Sequence, residues 1–365
     1  MPVNAKERVT LAMAGKAPDR VPVFPVITAY HASRVLGLDY REIVLDPMLT
    51  HEALLAAWRK YQFDGFEVGL GPAPGYKERI RVKTINGIDY LVNPETDEPY
   101  ARLEADEAPI QLVDSPPIQL PEDVGKITVP TVQDVIDSGR LAPIRRIVKE
   151  VGDDAYIAGH AAGQSMNFLV QMRGSQQAML DLVDNAELAH TIMELGTQIS
   201  INIALAMLEA GVDGIYIGDA WASASIISPN HYREFCMPYH RRAVEVLHSH
   251  GAQVYLHICG NVVPILELMA DTGVDAIEPL DPLGGVTVAE AKRRVGERVA
   301  LKGGLDTLLL LKGSVDEVME GAKRCIDEGA AGGGYILGSG DDIPRDAPVE
   351  NVAAMVEAAH MYGKY

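Results

Sequence analysis

The sequence predicts an α/β protein that forms a single (β/α)8 barrel domain over residues 1–365, with a β-hairpin inserted after the second strand. Three observations support this fold. Short runs rich in Val, Ile, Tyr and Phe recur along the chain, stretches with helical spacing separate them, and one polar region interrupts the alternation. A strand followed by a helix, repeated eight times, is typical of a (β/α)8 barrel.

Eight apolar runs are predicted to form the buried strands, because each is short and flanked by Gly, Asp or Pro. They span residues 21–27, 63–70, 155–161, 211–219, 252–260, 273–281, 299–306 and 333–342. Helical stretches such as HEALLAAWRKYQ and SVDEVMEGAKRCIDEG lie between them. Several of these stretches have start or stop signals, including Ser228 before Pro229 and Gly251 after a His-rich turn.

The region from about 76 to 123 breaks the alternation, because it is polar and rich in proline. Its segment RIRVKTINGIDYLV alternates around Asn86 and Gly87, which favours a β-hairpin. Such an insertion in a barrel loop serves either as a lid or oligomer contact, or simply as decoration. The sequence does not decide between these roles. It is therefore compatible with a homo-oligomer but does not require one.

The composition is that of an ordinary globular protein, with 47% hydrophobic and 23% charged residues. The formal net charge of −19 argues against a nucleic-acid partner, since that binding depends on clustered Lys and Arg. Three widely spaced cysteines do not make a disulfide framework, so a reducing compartment is expected. The N-terminus is charged where a signal peptide is apolar, and no run of ~18 apolar residues occurs. We therefore expect a cytoplasmic protein with no membrane partner.

Polar residues end the predicted strands and should share the rim of the barrel that usually carries catalysis. They are His160, Asp219, His257, Cys259, Glu278, Asp281, Asp306, Asp341 and Asp342. His257 and Cys259 lie two apart on one strand, so their side chains leave on the same face. Zinc accepts imidazole together with thiolate, although such a pair is often only a packed His and a small apolar Cys.

A later strand could supply the third metal ligand, and Asp341 in GSGDDIP is the best candidate. The alternative is that this Asp pair forms a turn or helix cap ahead of Pro344. Asp219 is expected to orient substrate or to bond a metal-bound histidine, with bonding of loop backbone as its alternative.

Further residues are placed near the mouth by their position next to strands. His160, Gln164 and Tyr30 are expected to line the pocket and to contact a cofactor there. Cys236 and Cys325 fall within helical stretches and are expected to be packing residues.

Five segments carry a resemblance to a known family. They are AKERVTLAMAGKAPDRVPVFP, GIYIGDAWASASIISPNHYREFCMPYHRRAVEVLHSHG, LHICGN, LKGGLDTLLLLKGS and ILGSGDDIPRDAPVENVAAMV. Together they resemble the uroporphyrinogen decarboxylase superfamily over nearly the whole chain. HICGN looks most like the cobalamin-dependent methyltransferase branch, in which a His-x-Cys pair and a later Cys hold a catalytic zinc. His257 and Cys259 match the pair, whereas the late Cys falls on Asp341.

The resemblance implies a (β/α)8-barrel enzyme that moves a methyl group between a small substrate and a cobalamin on a separate corrinoid protein. The metal would act as a Lewis acid, and the departure at Asp341 points toward an oxygen compound such as a methoxylated substrate. Glu278 or Asp219 would donate a proton or orient the site.

Two alternatives remain from the residues. A metal-independent lyase of decarboxylase type is disfavoured, because the segment VITAYHASRVLG offers Arg34 where that enzyme has an Arg-rich clamp. A non-catalytic tetrapyrrole- or corrinoid-binding protein is the other alternative.

Overall fold

The computed structural model describes residues 3–105, 107–112, 116–161 and 163–365. Within these ranges the chain forms eleven β-strands. They are β1 (Gly65–Val68), β2 (Arg81–Ile85), β3 (Ile88–Val92), β4 (Pro99–Arg102), β5 (Ile110–Gln111), β6 (Tyr156–His160), β7 (Gly214–Gly218), β8 (Gln253–His257), β9 (Ala276–Glu278), β10 (Ala300–Leu305) and β11 (Tyr335–Ser339).

The helices of the described residues mostly follow the barrel strands. They are α1 (Ala5–Met13), α2 (Ala29–Leu36), α3 (Tyr40–Leu45), α4 (Met48–Tyr61), α5 (Tyr76–Arg79), α6 (Val132–Asp137), α7 (Ala142–Val151), α8 (Ser165–Arg173), α9 (Ser175–Asp184), α10 (Ala186–Glu209), α11 (Pro229–His231), α12 (Met237–Ser249), α13 (Leu266–Ala270), α14 (Val288–Val295), α15 (Thr307–Lys312), α16 (Val315–Gly329) and α17 (Val349–Tyr362). Short 3-10 turns occur at Pro121–Lys126, Ala220–Ala222 and Val263–Ile265, and Tyr232–Cys236 is a π-helical turn before α12.

Seven strands form a parallel sheet in the order β1-β6-β7-β8-β9-β10-β11. Each lies inside one of the predicted runs, and the prediction of an α/β barrel is confirmed. The observed strands are shorter than the runs because the flanking residues turn into the loops and helix caps. Parallel strands place all their carboxyl ends at one rim, so the residues that end these strands face a common mouth.

The predicted first strand, residues 21–27, is an extended segment and not a regular strand. It lies between β11 and β1, because Phe24 N donates to Leu337 O at 2.9 Å and Asp64 N donates to Val23 O at 2.8 Å. Pro22 and Pro25 have no backbone N–H, which explains why a continuous ladder does not form. The segment thus closes the sheet with isolated hydrogen bonds.

The amino-terminal end of the barrel is filled by apolar side chains. Helix α1 packs against it with Val9 and Met13, which cluster with the buried rings of Phe24, Tyr156 and Tyr255. Phe24 and Tyr255 meet edge to face, with ring centroids 5.7 Å apart, a favoured aromatic geometry. This end is therefore a packed core, and the open end is the one with the polar residues.

The inserted region forms a four-stranded antiparallel sheet in the order β2-β3-β4-β5. Strands β2 and β3 meet at Asn86 and Gly87, which both have positive φ, as a tight hairpin turn requires. Leu91, Ala101 and Leu103 bury one face of the sheet. The sequence predicts one hairpin here, whereas the structure adds β4 and β5. Positions 106 and 113–115 of the insertion lie outside the described residues.

Helix α10 is the one described helix that is long and apolar enough to cross a bilayer by length and composition. In the structure, 56% of its most apolar window is buried. Ile192, Met193 and Met207 are fully buried within the main core. This burial is typical of a core helix, which can be as long and as apolar as a helix that crosses a bilayer.

Candidate metal centre at the barrel mouth

Three metal-binding groups meet at the open end of the barrel. His257 ends β8, Cys259 follows it, and Asp341 follows β11 on the other side of the mouth. One donor atom of each lies within 4.8 Å of the others, and His257 Nε2 is 3.8 Å from Asp341 Oδ1. Imidazole nitrogen, thiolate sulfur and carboxylate oxygen are the ligand types that zinc accepts. The structure therefore brings together the three residues that the sequence singled out.

Glu278 orients the histidine of this cluster. It ends β9, the neighbour of β8, and the strand register pairs it with His257. His257 Nδ1 lies 3.0 Å from Glu278 Oε1, which fixes the imidazole with Nε2 directed at Asp341. Carboxylates hold metal-ligating histidines in this way.

A buried ionic network continues from Glu278 into the barrel. Lys302 on β10 donates to Glu278 Oε2 and lies 3.7 Å from Glu67 Oε1 on β1. Tyr255 donates its hydroxyl to the same Glu67 oxygen at 2.8 Å. Lys302 is 1% exposed, and its ammonium stands 4.3 Å from the centroid of the Phe24 ring. This group links His257 to the centre of the barrel.

Sequence reasoning missed Lys302, Glu67 and Tyr255. A signal was present, because Lys302 and Glu67 are charged residues within otherwise apolar strands, where charges are rare unless paired. Only the structure shows that they pair with each other and with Glu278.

The pKa values of the two carboxyl groups in the network are shifted in opposite directions. Burial and the charge of Glu278 raise the pKa of Glu67 to about 7. Burial also acts to raise the pKa of Glu278, but Lys302 and His257 outweigh it and hold that pKa below its ordinary value. Glu278 is therefore an anion that accepts hydrogen bonds, and not a proton donor.

The cluster attracts positive charge. Burial acts to lower the pKa of His257, but hydrogen bonds with Cys259 and Glu278 outweigh it and raise the pKa to about 10. A proton on the imidazole is thus stabilised by Cys259, which would also bind a metal ion, and by Glu278, which holds Nδ1. Binding a metal there would displace this proton.

Asp219 does not point at the three-residue cluster. Its side chain is fully buried, and Oδ1 accepts the Asn167 N–H at 2.7 Å. Oδ2 accepts the Ser165 hydroxyl and lies 2.9 Å from His240 Nε2. Both oxygens therefore hold α8 and α12 against the end of β7, through one helix N–H and two side chains and not through loop backbone.

The three residues expected near a cofactor occupy different places. His160 is exposed at the mouth, and its ring lies tilted against that of Tyr216, with the centroids 4.3 Å apart. Although its ring is accessible from the mouth, desolvation by the surrounding protein and the charge of His257 lower its pKa to about 4, so it is neutral. Gln164 is buried and donates to Ser200 on α10 at 2.9 Å. Tyr30 stacks on Tyr40, and its hydroxyl accepts the Ala108 N–H, which ties α2 to the insertion.

The remaining acidic residues of the rim bond to backbone or to helix starts. Asp342 accepts the Thr28 hydroxyl at 2.6 Å, and Asp306 caps α15 through the Leu308 N–H at 2.7 Å. Asp281 accepts the Leu283 N–H at 2.8 Å. Of the two adjacent residues in GSGDDIP, Asp341 thus joins the cluster, and Asp342 binds Thr28, the residue that caps α2.

Neither of the other cysteines belongs to the cluster. Cys236, in the π-helical turn, is fully buried, and Cys325 on α16 is 8% exposed. Both pack in the main apolar core.

Comparison with known proteins gives a match over most of the chain. The model of the uroporphyrinogen decarboxylase (URO-D) family matches residues 102–362. A uroporphyrinogen decarboxylase of Coxiella burnetii (strain Dugway 5J108-111) is 25% identical over 98% of this chain and 95% of its own length. A methylcobamide:CoM methyltransferase of Methanosarcina barkeri is 28% identical over 98% of both chains. Among solved structures, a methyltransferase from Methanosarcina mazei superposes with a TM-score of 0.75 at 25% identity, covering 98% of this chain and 99% of that chain.

Proposed function

The chain belongs to the uroporphyrinogen decarboxylase family, and from that premise we propose that it is a zinc-dependent enzyme of methyl transfer. It would move a methyl group between a small substrate, such as a methoxylated compound, and a cobalamin carried by a partner corrinoid protein. The observation behind this proposal is the cluster of His257, Cys259 and Asp341, whose donor atoms lie within 4.8 Å of one another. The similarity to a methylcobamide:CoM methyltransferase over nearly the full length of both chains supports it.

The residues present fit a zinc ion. His257 would bind through Nε2, because Glu278 holds Nδ1 at 3.0 Å, and Cys259 and Asp341 would supply sulfur and oxygen. Three protein ligands leave a coordination position for substrate, as in catalytic zinc sites. When bound, zinc would supply Lewis-acid chemistry to an oxygen or sulfur atom of the substrate.

The other polar groups would position this centre. Glu278 fixes the histidine, and Lys302 fixes Glu278. Asp219 would act through the loop that it anchors and not on reacting atoms, since both of its oxygens are engaged. In demethylation, the C–O bond of a methoxylated substrate would break with its electron pair left on oxygen, and the corrinoid of the partner protein would supply the nucleophile that accepts the methyl group. In the opposite direction, the methylated corrinoid would supply the methyl group and an oxygen or sulfur atom of the substrate would accept it.

The test is elemental analysis of the purified wild-type protein beside Cys259→Ala and Asp341→Ala, each grown with zinc. We expect near one equivalent of zinc in wild type and loss of zinc in both variants. Cys325→Ala is the matched control, because this cysteine packs in the core, and it should keep its zinc. Wild type that stays free of zinc after reconstitution would overturn the proposal.

A metal-independent lyase is the second candidate, since relatives of this chain include uroporphyrinogen decarboxylases. Here Arg34, in the segment compared with an Arg-rich clamp, pairs with Asp346 at 2.9 Å. This candidate predicts that Cys259→Ala keeps full activity. A non-catalytic corrinoid-binding protein predicts tight cofactor binding without turnover. A Cys259→Ala variant that lacks both zinc and methyl transfer would exclude both.

A further inference from the structure

The end of β9 and the turn that follows it lie between the residues of the metal cluster. In the sheet, β9 is hydrogen-bonded between β8 and β10. Glu278 at its end lies 3.0 Å from His257 Nδ1, and the Glu278 carbonyl accepts the Ile258 N–H at 3.1 Å. The three donor atoms of the cluster come from the ends of β8 and β11 and not from β9. We call residues 281–285, which continue from this strand, the β9 turn.

The β9 turn packs against Gly260, the residue after Cys259. A Cβ added to Gly284 would overlap the carbonyl group of Gly260. The two backbones approach this closely because glycine has no Cβ. On the opposite side, the loop after β7 holds the next residue, since the Ser225 hydroxyl accepts the Asn261 N–H at 2.9 Å. The backbone that follows Cys259 is therefore held between two loops.

The same turn packs against Gly340, the residue before Asp341. A Cβ added to Gly340 would lie 2.5 Å from Pro282 Cδ. The Gly340 N–H donates to Leu305 O, at the end of β10, at 2.6 Å, which fixes the backbone of Gly340 from another side. The β9 turn thus lies between the chain neighbours of two metal-binding residues, Cys259 and Asp341.

Hydrogen bonds within the β9 turn hold its shape. Asp281 Oδ1 accepts the Leu283 N–H at 2.8 Å, and Asp281 O accepts the N–H groups of Gly284 at 3.1 Å and Val286 at 3.2 Å. The preceding residue, Leu280, is fully buried with a φ of +51°. This left-handed conformation is unfavourable for leucine and persists only where the surrounding structure imposes it. The turn is therefore a rigid spacer.

We propose that the β9 turn sets the separation between Cys259 and Asp341, with Gly284 and Asp281 as its positioning residues. This inference rests on the proposed function, because it concerns the metal centre through which the chain would act. Zinc holds its ligands at ~2.0–2.3 Å, so the donor atoms must converge on one point. Ligands that are already in place lose little conformational freedom when the ion binds, and the turn therefore raises metal affinity.

The test is titration of the full-length, metal-free protein with Zn²⁺ against a competing chelator, and with Co²⁺, whose absorption reports on a bound thiolate. Gly284→Ala and Asp281→Ala should each lower zinc affinity ~10–100-fold, as the loss of an outer contact does. Both should also weaken the thiolate-to-cobalt absorption, because the sulfur would no longer point at the ion. Asp281→Asn keeps an oxygen that can accept the Leu283 N–H and should regain most of the affinity.

Gly285→Ala is the matched control within the same turn. Gly285 has a φ of +91°, and apart from its chain neighbours no described atom lies within 4 Å of an added Cβ. Alanine there strains the backbone without pressing on the cluster. It should lower the unfolding temperature but keep the zinc affinity and the cobalt absorption of wild type. If the turn served stability alone, zinc affinity would instead fall with the unfolding temperature in every variant.

Alkylation of Cys259 by iodoacetamide gives a measurement that needs no metal. Of the three cysteines, all within the described residues, Cys259 alone is not buried, so the reaction reports on this thiol. Thiol reactivity depends on exposure and on neighbouring groups, so Gly284→Ala should change the rate at least about threefold. Gly285→Ala should leave the rate unchanged.

Two outcomes would overturn the inference: wild-type zinc affinity and alkylation rate in Gly284→Ala, or an equal loss of affinity in Gly285→Ala. If Gly284→Ala does not fold, the comparison of Asp281→Ala with Asp281→Asn decides by the same measurements. Failure of the proposed function is distinguishable from both outcomes. A wild-type protein that holds no zinc, but whose Cys259 alkylation changes in Gly284→Ala and not in Gly285→Ala, would retain the positioning role and lose the function.

Discussion

Replacing Lys302 with Met tests whether the buried ionic network sustains both the fold and the metal centre. Lys302 is 1% exposed and lies between the carboxylates of Glu278 and Glu67. Met fills a similar volume but removes the cation that lies between these two buried acidic side chains. Removing one partner of a buried ion pair costs about 3–5 kcal/mol, and we expect that loss in the free energy of unfolding.

The same change should weaken zinc binding, because Glu278 loses the group that fixes the orientation of its carboxylate toward His257. Loss of such an outer contact lowers metal affinity ~10–100-fold. Urea unfolding of the zinc-free protein gives the first quantity, and titration against a competing chelator gives the second. Since Lys302→Met could unfold outright, the double variant Glu67→Gln with Lys302→Met removes one of the uncompensated charges and should recover part of the stability.

Lys323→Met is the control for loss of a lysine, because its pairing with Asp327 is exposed on α16. It should alter neither quantity appreciably. A loss of stability in Lys302→Met no greater than the ~0–1 kcal/mol typical of an exposed ion pair would show that the network does not sustain the fold. Zinc binding by folded Lys302→Met as tight as that of wild type would show that the network does not sustain the metal centre.

Three further predictions concern the mouth. Burial raises the pKa of Asp342 from 3.8 to about 6, so its contribution to stability is full below pH 3.8 and is lost as the pH rises through about 6. Asp342→Asn should flatten this part of the profile of stability against pH. A variant whose unfolding midpoint changes between about pH 3.5 and 7 as that of wild type does would contradict this prediction. Gly260 has a φ of +76°, and an added Cβ would lie 3.1 Å from the hydroxyls of Ser223 and Ser225. Gly260→Ala should therefore lose about 1–2 kcal/mol in urea unfolding, and wild-type stability would count against this strain. Zinc at one hundred times its dissociation constant should stabilise wild type by about 2.7 kcal/mol in thermal unfolding but not Cys259→Ala, and equal shifts would place zinc elsewhere.

The sequence by itself determined the order and type of the barrel strands, because buried parallel strands need apolar runs and their connections need helical spacing. It also determined that His257 and Cys259 share a face, since a strand repeats every two residues. The family inferred from the motifs is confirmed by the match over residues 102–362. The sequence predicts a regular strand over residues 21–27, but Pro22 and Pro25 lack the N–H groups that a continuous strand needs.

The tertiary structure decided which distant residues meet. Asp341 and Asp342 are adjacent and chemically identical, yet one faces His257 and the other binds Thr28. The pairing of Lys302 with Glu278 and Glu67 joins the consecutive strands β9 and β10 to β1, which lies far away in the chain. Such contacts depend on how the sheet curves and on the register between strands, whereas local periodicity fixes only the direction of each side chain relative to its own strand.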